Sequence, residues 1–470
     1  MYLLLPAVRC RFIIFAKLKR ICCYTCLPGC LCWLLLLCQS CVVPRLDETP
    51  YARTTYYQKT INQLQQTVPE ATTGDTLQVG WAKVNITPPV GTPMAGYGKR
   101  RGMRYEQVHD SAWVRTFAFS NGSSQAYLVS LDMLIAPMRV AAQLEQAYPK
   151  LGLQPGQVYL TATHTHTSFG GWQKKLAGRM MAGKYNKQVV RQTVQHILQS
   201  IQLAQQNRQP ARIGYGQISA AALVKNRLTG ATANLDSTLR FIKFEQTNGK
   251  TAILCTFAAH PTILPSMQPV LSRDYPGELV DALEKEVSFA AFAAGAVGSH
   301  QAVYTGETFK STAAVGQQLA QAIQQKLPQV TLVYTFTLSS GQTPLYLPQP
   351  QWRIGEHRRF APGLFYTFFG RYKASVNILQ LGNIVLLGVP ADYSGEFMPL
   401  LEAQAAQQNQ HVLLTGFNGG YVGYLIPEEH YQLPKYEARA MNFFGPHAGN
   451  YLTDILLHLL RRSGLPDTAP

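Results

Sequence analysis

Residues 158–166 read VYLTATHTH, an apolar run of strand-forming residues that ends in two histidines, His164 and His166. A second apolar run, AILCTFAA at residues 252–259, is followed by His260 and then by Pro261, which cannot donate a hydrogen bond to a strand ladder. Runs this apolar are typical of strands that are covered on both faces. The sequence therefore predicts two buried strands that each end in an imidazole.

Strand ends of this kind are where α/β proteins usually build their functional sites. Neutral imidazole is the commonest protein ligand of zinc, and a catalytic zinc typically takes three or four protein groups and keeps one position open. Gly170 and Gly171 follow the histidines and let the backbone come close to a bound group, although a plain tight turn would use them as well. The alternative is that the histidines are hydrogen-bonded structural residues.

The periodicity of the rest of the chain predicts the fold class. Residues 77–84 alternate as a strand does, and residues 113–119 and 126–131 predict a hairpin around the turn SNGSS. Apolar residues at helical spacing predict a helix over 187–206 and another around 315–323. No repeat and no Pro/Ser-rich linker interrupts this pattern. We expect one large α/β domain of mixed β-sheets layered with helices.

The composition and charge of the chain restrict which class of protein it can be. The 470 residues are 46% hydrophobic and 14% charged, which excludes disorder and suffices for a large core. Five of the 42 basic residues lie in the first forty, so the body keeps 37 − 25 = +12 charges. This charge suits anionic lipid headgroups or envelope polymers, or is simply a solvated surface. No nucleic-acid motif accompanies it, so we predict no nucleic-acid partner.

The amino-terminal forty residues resemble an export signal. Basic residues precede a cysteine-rich apolar run that is too short to span a bilayer comfortably. Cys41 then follows Ser40 much as the lipidated cysteine follows a small residue in bacterial lipoproteins. We expect a leader at 1–40, a tether at 41–76 and a domain at 77–465, with Cys41 anchoring the protein in the bacterial cell envelope, facing the periplasm. A cleaved secretory signal and an uncleaved anchor are the alternatives.

Eight of the nine cysteines lie in the first 41 residues, so the body holds only Cys255 and no internal disulfide is expected. A different kind of segment, residues 344–373, mixes many aromatic residues with arginine, lysine and histidine. Long irregular stretches are usually functional or disordered, and the aromatic content argues against disorder. We interpret it as a lid or as an edge that meets a membrane surface, and ordinary packing onto the body is the alternative.

The order of several sequence blocks resembles the neutral, non-lysosomal ceramidase family over residues 78–462. The blocks are GWAKVNIT at 80–87, the two histidine blocks, NGGYVGY at 418–424, and Tyr436-Glu437 ahead of FGPH at 444–447. The resemblance implies the fold of that family's amino-terminal catalytic domain. It also implies hydrolysis of a lipid-like amide or ester.

The family holds its zinc through two histidines, a glutamate and a tyrosine. Carried over to this chain, the resemblance implies that Zn²⁺ is bound by four residues: His164, His260, Asp392 and Tyr424. It places His166 beside the metal as a group that handles or orients protons. Arg227 matches an arginine that faces the substrate, and its fixed fork of donors suits a carboxylate or carbonyl oxygen.

Two departures from the family pattern affect the expected chemistry. Asp392 is one methylene shorter than the family's glutamate, so the strand or the metal must shift to keep a bond of about 2.0–2.2 Å. Gln301 stands where the family has a serine needed for amide cleavage. Ser299 and His300 lie next to that position and are candidates to replace it.

These residues support two hypotheses of different class. The first is an exported zinc hydrolase that acts on a lipid-like amide or ester through water activated by the metal. The second is a catalytically degenerate protein of the same fold that is tethered to the membrane and binds a lipid or a glycan. The retained ligand set favours the hydrolase, and the replacement of the serine favours the binding protein.

Overall fold

The computed structural model describes residues 43–67, 71–230, 234–371 and 373–463. The α-helices within these residues are α1 (Thr55–Thr67), α2 (Met138–Ala147), α3 (Leu176–Ala182), α4 (Lys187–Gln206), α5 (Asp274–Leu283), α6 (Phe309–Lys326), α7 (Pro362–Phe369), α8 (Met398–Ala406), α9 (Tyr436–Arg439) and α10 (Ala448–Arg462).

The strands of the first half of the chain are β1 (Thr72–Thr73), β2 (Gln78–Asn85), β3 (Gln107–Val108), β4 (Trp113–Ser120), β5 (Gln125–Leu131), β6 (Val158–Ala162), β7 (Gln209–Ser219), β8 (Val224–Asn226) and β9 (Thr238–Gln246). Those that follow are β10 (Thr251–Phe257), β11 (Val270–Leu271), β12 (Phe289–Ala294), β13 (His300–Ala302), β14 (Thr337–Pro344), β15 (Arg353–Ile354), β16 (Arg358–Arg359), β17 (Ser375–Leu381), β18 (Ile384–Gly388), β19 (Asp392–Tyr393), β20 (His411–Thr415) and β21 (Tyr424–Leu425).

Eight strands form the larger sheet, in the order β12-β10-β9-β7-β2-β4-β5-β6. The predicted hairpin is present: β4 and β5 pair antiparallel, with Val114 opposite Leu131 and Ser120 opposite Gln125. Both edge strands pair parallel with their neighbours, β12 with β10 and β6 with β5. The predicted α/β fold with mixed sheets is thus confirmed.

Five strands form a second sheet, in the order β1-β14-β17-β18-β20. The two sheets pack face to face, because Phe117 and Phe244 of the larger sheet share one buried cluster with Leu379 and Leu386 of the smaller. Helices α4, α5 and α6 cover the outer face of the larger sheet, and α8 and α10 cover that of the smaller. The result is four layers, which buries both faces of each sheet and explains the long apolar runs.

Helix α4 spans the residues predicted from the sequence, Lys187–Gln206. The side chain of Asn186 caps its first turn by accepting a hydrogen bond from the backbone N–H of Gln188 at 2.9 Å. Its buried residues include Val190, Ile197 and Ile201, which lie on one face at helical spacing. That face packs on strands β2 and β4.

The larger sheet curls so that its two edges approach each other. Ser130 of β5 donates a hydrogen bond through Oγ to the carbonyl oxygen of Phe292 in β12 at 2.6 Å, although these strands lie near opposite ends of the sheet. Strands β6 and β12 are also in contact. The curl therefore brings the carboxyl end of β6, followed by His164, close to that of β10, followed by His260.

Part of the predicted tether is packed onto the body. Tyr57 of α1 donates a hydrogen bond to Asp454 of α10 at 2.7 Å, and the hydroxyl of Thr60 lies 2.7 Å from that of Tyr451. The predicted leader and Cys41 lie outside the described residues, so export, lipidation and envelope localisation stay predictions. None of the helices that the structure describes combines the length and apolarity needed to cross a bilayer.

Candidate functional site

His164 follows strand β6 by two residues in an unusual backbone conformation. Its φ is +60°, in the left-handed region that few residues other than glycine adopt. The N–H of His164 donates to the carbonyl oxygen of Met133 at 3.0 Å, which fixes this turn. Strained backbone of this kind persists only where the surroundings hold it, and it concentrates at functional sites.

Three imidazoles converge at this point. The Nε2 atom of His260 lies 3.0 Å from Nε2 of His164 and 2.9 Å from Nε2 of His166, and the last two atoms are 3.3 Å apart. Nδ1 of His164 lies 2.5 Å from the carbonyl oxygen of Leu134, which can only accept, so Nδ1 is the donor of this hydrogen bond. The structure thus brings together the three histidines predicted from the sequence.

Asp392 and Tyr424 approach the histidines from a separate two-stranded sheet. They are register partners in the short parallel ladder of β19 and β21. Oδ1 of Asp392 lies 3.2 Å from Nε2 of His164, and Oδ2 accepts a hydrogen bond from the hydroxyl of Tyr421 at 2.7 Å. Oδ1 itself is buried and receives no hydrogen bond from the described residues. The shorter aspartate therefore reaches the histidines.

Burial favours the neutral form of two of the three histidines. Burial, and then the nearby His164 and Arg100, hold the pKa of His166 well below its ordinary value, and burial and Arg227 do the same for His260. Neutral imidazoles are the form that binds metals. Burial, and then the charge of Asp392, raise the pKa of Tyr424 well above 10, so its phenol is protonated without a bound cation.

The donor set fits a divalent metal ion. In a tetrahedral site with bonds of about 2.0–2.1 Å, neighbouring donor atoms are about 3.3 Å apart, close to the separations among the three Nε2 atoms and to that between Nε2 of His164 and Oδ1 of Asp392. Oδ1 of Asp392 also lies 3.9 Å from Nδ1 of His260. Oδ1 of Asp392 is buried without a hydrogen-bond donor among the described residues, and a bound cation would satisfy it. In this arrangement His166 is a third imidazole donor, where the resemblance implied only a neighbouring proton carrier.

Arg227 connects this cluster to a second carboxylate. Its Nη2 donates to the hydroxyl of Tyr424 at 3.1 Å and lies 3.3 Å from Nδ1 of His260, and its Nε lies 2.7 Å from Glu437. The guanidinium also lies over the Tyr424 ring, 5.9 Å from its centre. Tyr424 is therefore within the site, held by Arg227.

A cavity of about 760 Å³ opens above the cluster. The three histidines, Asp392, Tyr424, Arg227 and Glu437 line its polar part. Its remaining wall is mostly apolar and aromatic, with Trp172, Phe369 and Phe443 among the lining residues. An enclosed apolar cavity with a few converging polar groups is the usual form of a small-molecule site.

The basic-aromatic segment 344–373 forms one wall of this cavity. Phe365 and Phe369 of helix α7 line it and pack on Phe443 with ring centres 5.3 and 4.9 Å apart. Trp352 and Phe360 pack on each other at 4.6 Å in the preceding hairpin region. The segment is thus packed onto the body, as the alternative reading had it, and it also encloses the site.

Ser299 and His300, the candidates to replace the family's serine, are not among the described residues that line the cavity. Nε2 of His300 accepts the backbone N–H of Asp236 at 2.9 Å, and Oγ of Ser299 lies 2.7 Å from both His300 Nδ1 and Ser394 Oγ. Both side chains are fully buried in this network. Gln301 pairs with β8 through its backbone and is likewise not among the described residues that line the cavity.

We expect His300 to affect acid stability and not activity. Burial, followed by the charge of Arg227, lowers the pKa of His300 from 6.5 to about 4. As the pH falls from 6.5 to 4 the unfolded chain takes up a proton there and the folded chain does not, so folding loses about 3 kcal/mol relative to His300→Gln. Denaturant unfolding of both proteins across this pH range measures the difference. If a His300→Gln variant folded but had lost its activity, His300 would have a catalytic role and this expectation would be wrong.

Several site residues carried no signal in the sequence. The ring of Phe417 stacks on His164 at 3.8 Å with planes 3° apart, and Tyr421 orients Asp392. Gly96 has a φ of +118°, and a Cβ there would come within 2.7 Å of the carbonyl oxygen of His166. Such contacts depend on the packing of distant loops, which periodicity and spacing do not reveal.

This chain is similar in sequence to a known protein. The neutral ceramidase of Pseudomonas aeruginosa is 26% identical over an alignment of 198 residues that covers 38% of this chain and 29% of that protein. The chain therefore matches less than a third of that relative's length in sequence.

Structure comparison extends the likeness. The crystal structure of neutral ceramidase from Pseudomonas aeruginosa superimposes with a TM-score of 0.71 at 20% identity, covering 84% of this chain and 76% of that one. A ceramidase complexed with C2 gives a TM-score of 0.69 at 19% identity, with 84% and 77% covered. At these identities the likeness establishes the shared fold.

The family model of the neutral/alkaline non-lysosomal ceramidase amino-terminal domain matches residues 77–322, just over half of the chain. The match begins at strand β2 and includes all three histidines of the cluster. This chain belongs to the neutral/alkaline non-lysosomal ceramidase family.

Proposed function

We propose that this protein is a zinc-dependent hydrolase that cleaves an amide or ester bond of a lipid-like substrate. One observation carries the proposal: three imidazoles converge through their Nε2 atoms, with the carboxylate of Asp392 beside His164, at the base of an apolar cavity. Membership of the ceramidase family supports the hydrolase class.

Zinc is the ion that best suits this donor set. Three imidazole nitrogens and one carboxylate oxygen are ligands that zinc accepts in tetrahedral geometry, whereas calcium and magnesium prefer oxygen ligands alone. When bound, zinc supplies Lewis acidity that polarises a carbonyl group and lowers the pKa of water.

The surrounding side chains position the substrate and handle protons. Arg227 lines the cavity and presents guanidinium donors to a carbonyl oxygen, while its ion pair with Glu437 at 2.7 Å fixes its orientation. Because His166 faces the cluster through Nε2, the groups left to transfer protons at the cavity are the hydroxyl of Tyr424 and the carboxylate of Glu437.

The cavity wall suits an acyl chain. Aromatic and aliphatic side chains surround the opening above the cluster, so a flexible hydrocarbon chain gains burial there while its polar link reaches the histidines. The walls exclude water from the reacting bond, which strengthens electrostatic interactions at the site.

A second candidate function is a lipid-binding protein that has lost catalysis. The observation that favours it is the absence of Ser299, His300 and Gln301 from the described cavity wall, so none of the residues at or beside the family's serine position faces the cavity. Such a protein would keep the cavity and the metal but would leave bound substrates intact.

Matched substrates decide between the two functions. Purified protein is analysed for metal and then assayed with an amide and an ester that share one acyl chain, before and after chelation and zinc return. We expect bound zinc, hydrolysis of at least one substrate, loss on chelation and recovery with zinc. A protein that retains the lipids and cleaves neither, although zinc is bound, would be the binding protein.

A further inference from the structure

The opening of the cavity carries three cations that form no ion pair with any residue in the described ranges. Lys99, Arg371 and Lys373 all line the cavity and are exposed. In the ranges that the structure describes, none of them forms an ion pair, whereas other arginines and lysines of the body do. Exposed like charges that gather at one cavity without partners repel one another, which an anion would relieve.

These cations come from both sides of the same opening. Lys99 lies in a 3-10 turn, Gly98–Arg100, that contacts helix α3, and Arg371 and Lys373 follow helix α7. Helices α3 and α7 are themselves in contact. The guanidinium of Arg371 lies 4.2 Å from the ring centre of Tyr366, another lining residue, so its position along the wall is restrained.

The acids of the cavity are already engaged. Four basic residues and two acidic residues line it, which leaves 4 − 2 = +2 before any metal binds. Asp392 faces the histidines and Tyr421, and Glu437 pairs with Arg227 at 2.7 Å. Neither carboxylate is therefore free to neutralise the cations at the opening.

We propose that the cavity selects acyl substrates whose headgroup is anionic, a carboxylate, sulfonate or phosphate. This inference rests on the proposed function and specifies its substrate class. The acyl chain lies along the aromatic wall, the scissile bond meets the histidine cluster, and the anionic group meets Lys99, Arg371 and Lys373. Charge at the opening raises the local concentration of such substrates and stabilises them once bound.

The test compares substrates that differ only in headgroup charge. The zinc-loaded protein is assayed with N-dodecanoyl glycine and N-dodecanoyl taurine, which are anionic, and with N-dodecanoyl ethanolamine, which is neutral, all below their micelle concentrations. We expect kcat/KM to favour the anionic substrates by about tenfold, mainly through KM. The preference should shrink as salt approaches about 1 M, where the screening length falls to about 3 Å.

A triple variant, Lys99→Gln with Arg371→Gln and Lys373→Gln, tests the residues. We expect it to lose the preference through a higher KM for the anionic substrates, and to fold as the parent does, because exposed charges contribute little to folding. The matched control replaces three exposed lysines outside the cavity, Lys250→Gln with Lys285→Gln and Lys310→Gln. This control should keep the preference, since it removes the same net charge.

The outcomes separate this inference from the proposed function. Hydrolysis without any headgroup preference, or an equal loss of preference in the control variant, would overturn the inference alone. If the triple variant differed from the parent only on anionic vesicles and not on dissolved substrates, the cations would bind membranes, and the inference would again be wrong. A protein that cleaves no substrate overturns the proposed function. Calorimetry with dodecyl phosphate and dodecyl maltoside still measures the charge preference in that case.

Discussion

Replacing His260 with alanine is expected to abolish metal binding and to reduce hydrolysis to background. Its Nε2 atom lies 2.9 and 3.0 Å from those of His166 and His164, which are 3.3 Å apart, so it forms one corner of a nearly equilateral triangle of donors. Loss of a hydrogen bond to a metal ligand alone typically costs about 10- to 100-fold in metal affinity, and loss of the ligand itself should cost more. Metal analysis after dialysis, beside an activity assay, measures both effects.

The control for this variant is His458→Ala. His458 lies on helix α10, 3.9 Å from Asp454 and away from the cavity, so the control removes an imidazole without touching the donor set. It should bind metal and hydrolyse substrate as the parent does. Full metal occupancy in His260→Ala would mean that the ion sits elsewhere, and the proposed hydrolase would lose its central support.

The order of the secondary structure could be predicted from the sequence because local patterns determine it. Local sequence patterns mark the apolar runs of β6 and β10, the hairpin of β4 and β5 and the helix Lys187–Gln206. Tertiary packing did not override these patterns. The curl of the larger sheet carries no such pattern. It arises from contacts such as that of Ser130 with Phe292, and it is this curl that brings His164 and His260 together.

The donors of the site were predictable to different degrees. The histidines stand at strand ends, where α/β proteins usually build their functional sites. Asp392, Tyr424 and Arg227 were predicted from the resemblance to the ceramidase family. Ser299 and His300 were predicted only from their closeness in sequence to Gln301. In the structure both side chains belong to a buried network with Ser394 and Asp236. Neighbouring residues at a strand end point in different directions, so closeness in sequence does not place a side chain in the cavity.

Replacing Arg227 with methionine is expected to have the second large effect, on both stability and activity. The change keeps an apolar stem but leaves Glu437, which is 8% exposed, without its cation at 2.7 Å. Breaking a buried pair by removing one partner costs about 3–5 kcal/mol, and the 19% exposure of Arg227 favours the lower end. Tyr424 also loses its donor at 3.1 Å. Denaturant unfolding and kcat/KM measure the two losses.

A second substitution separates these two roles. Glu437→Gln removes the carboxylate that Arg227 neutralises, so the double variant Arg227→Met with Glu437→Gln should regain most of the lost stability. If Arg227 also holds the substrate, the double variant stays impaired in kcat/KM, because no guanidinium then faces the cavity. Arg227→Lys should fall between parent and methionine variant, since one ammonium group cannot reach Glu437 and Tyr424 with the geometry of a planar fork. Full activity in the double variant would mean that Arg227 only neutralises Glu437 and that other residues of the cavity position the substrate.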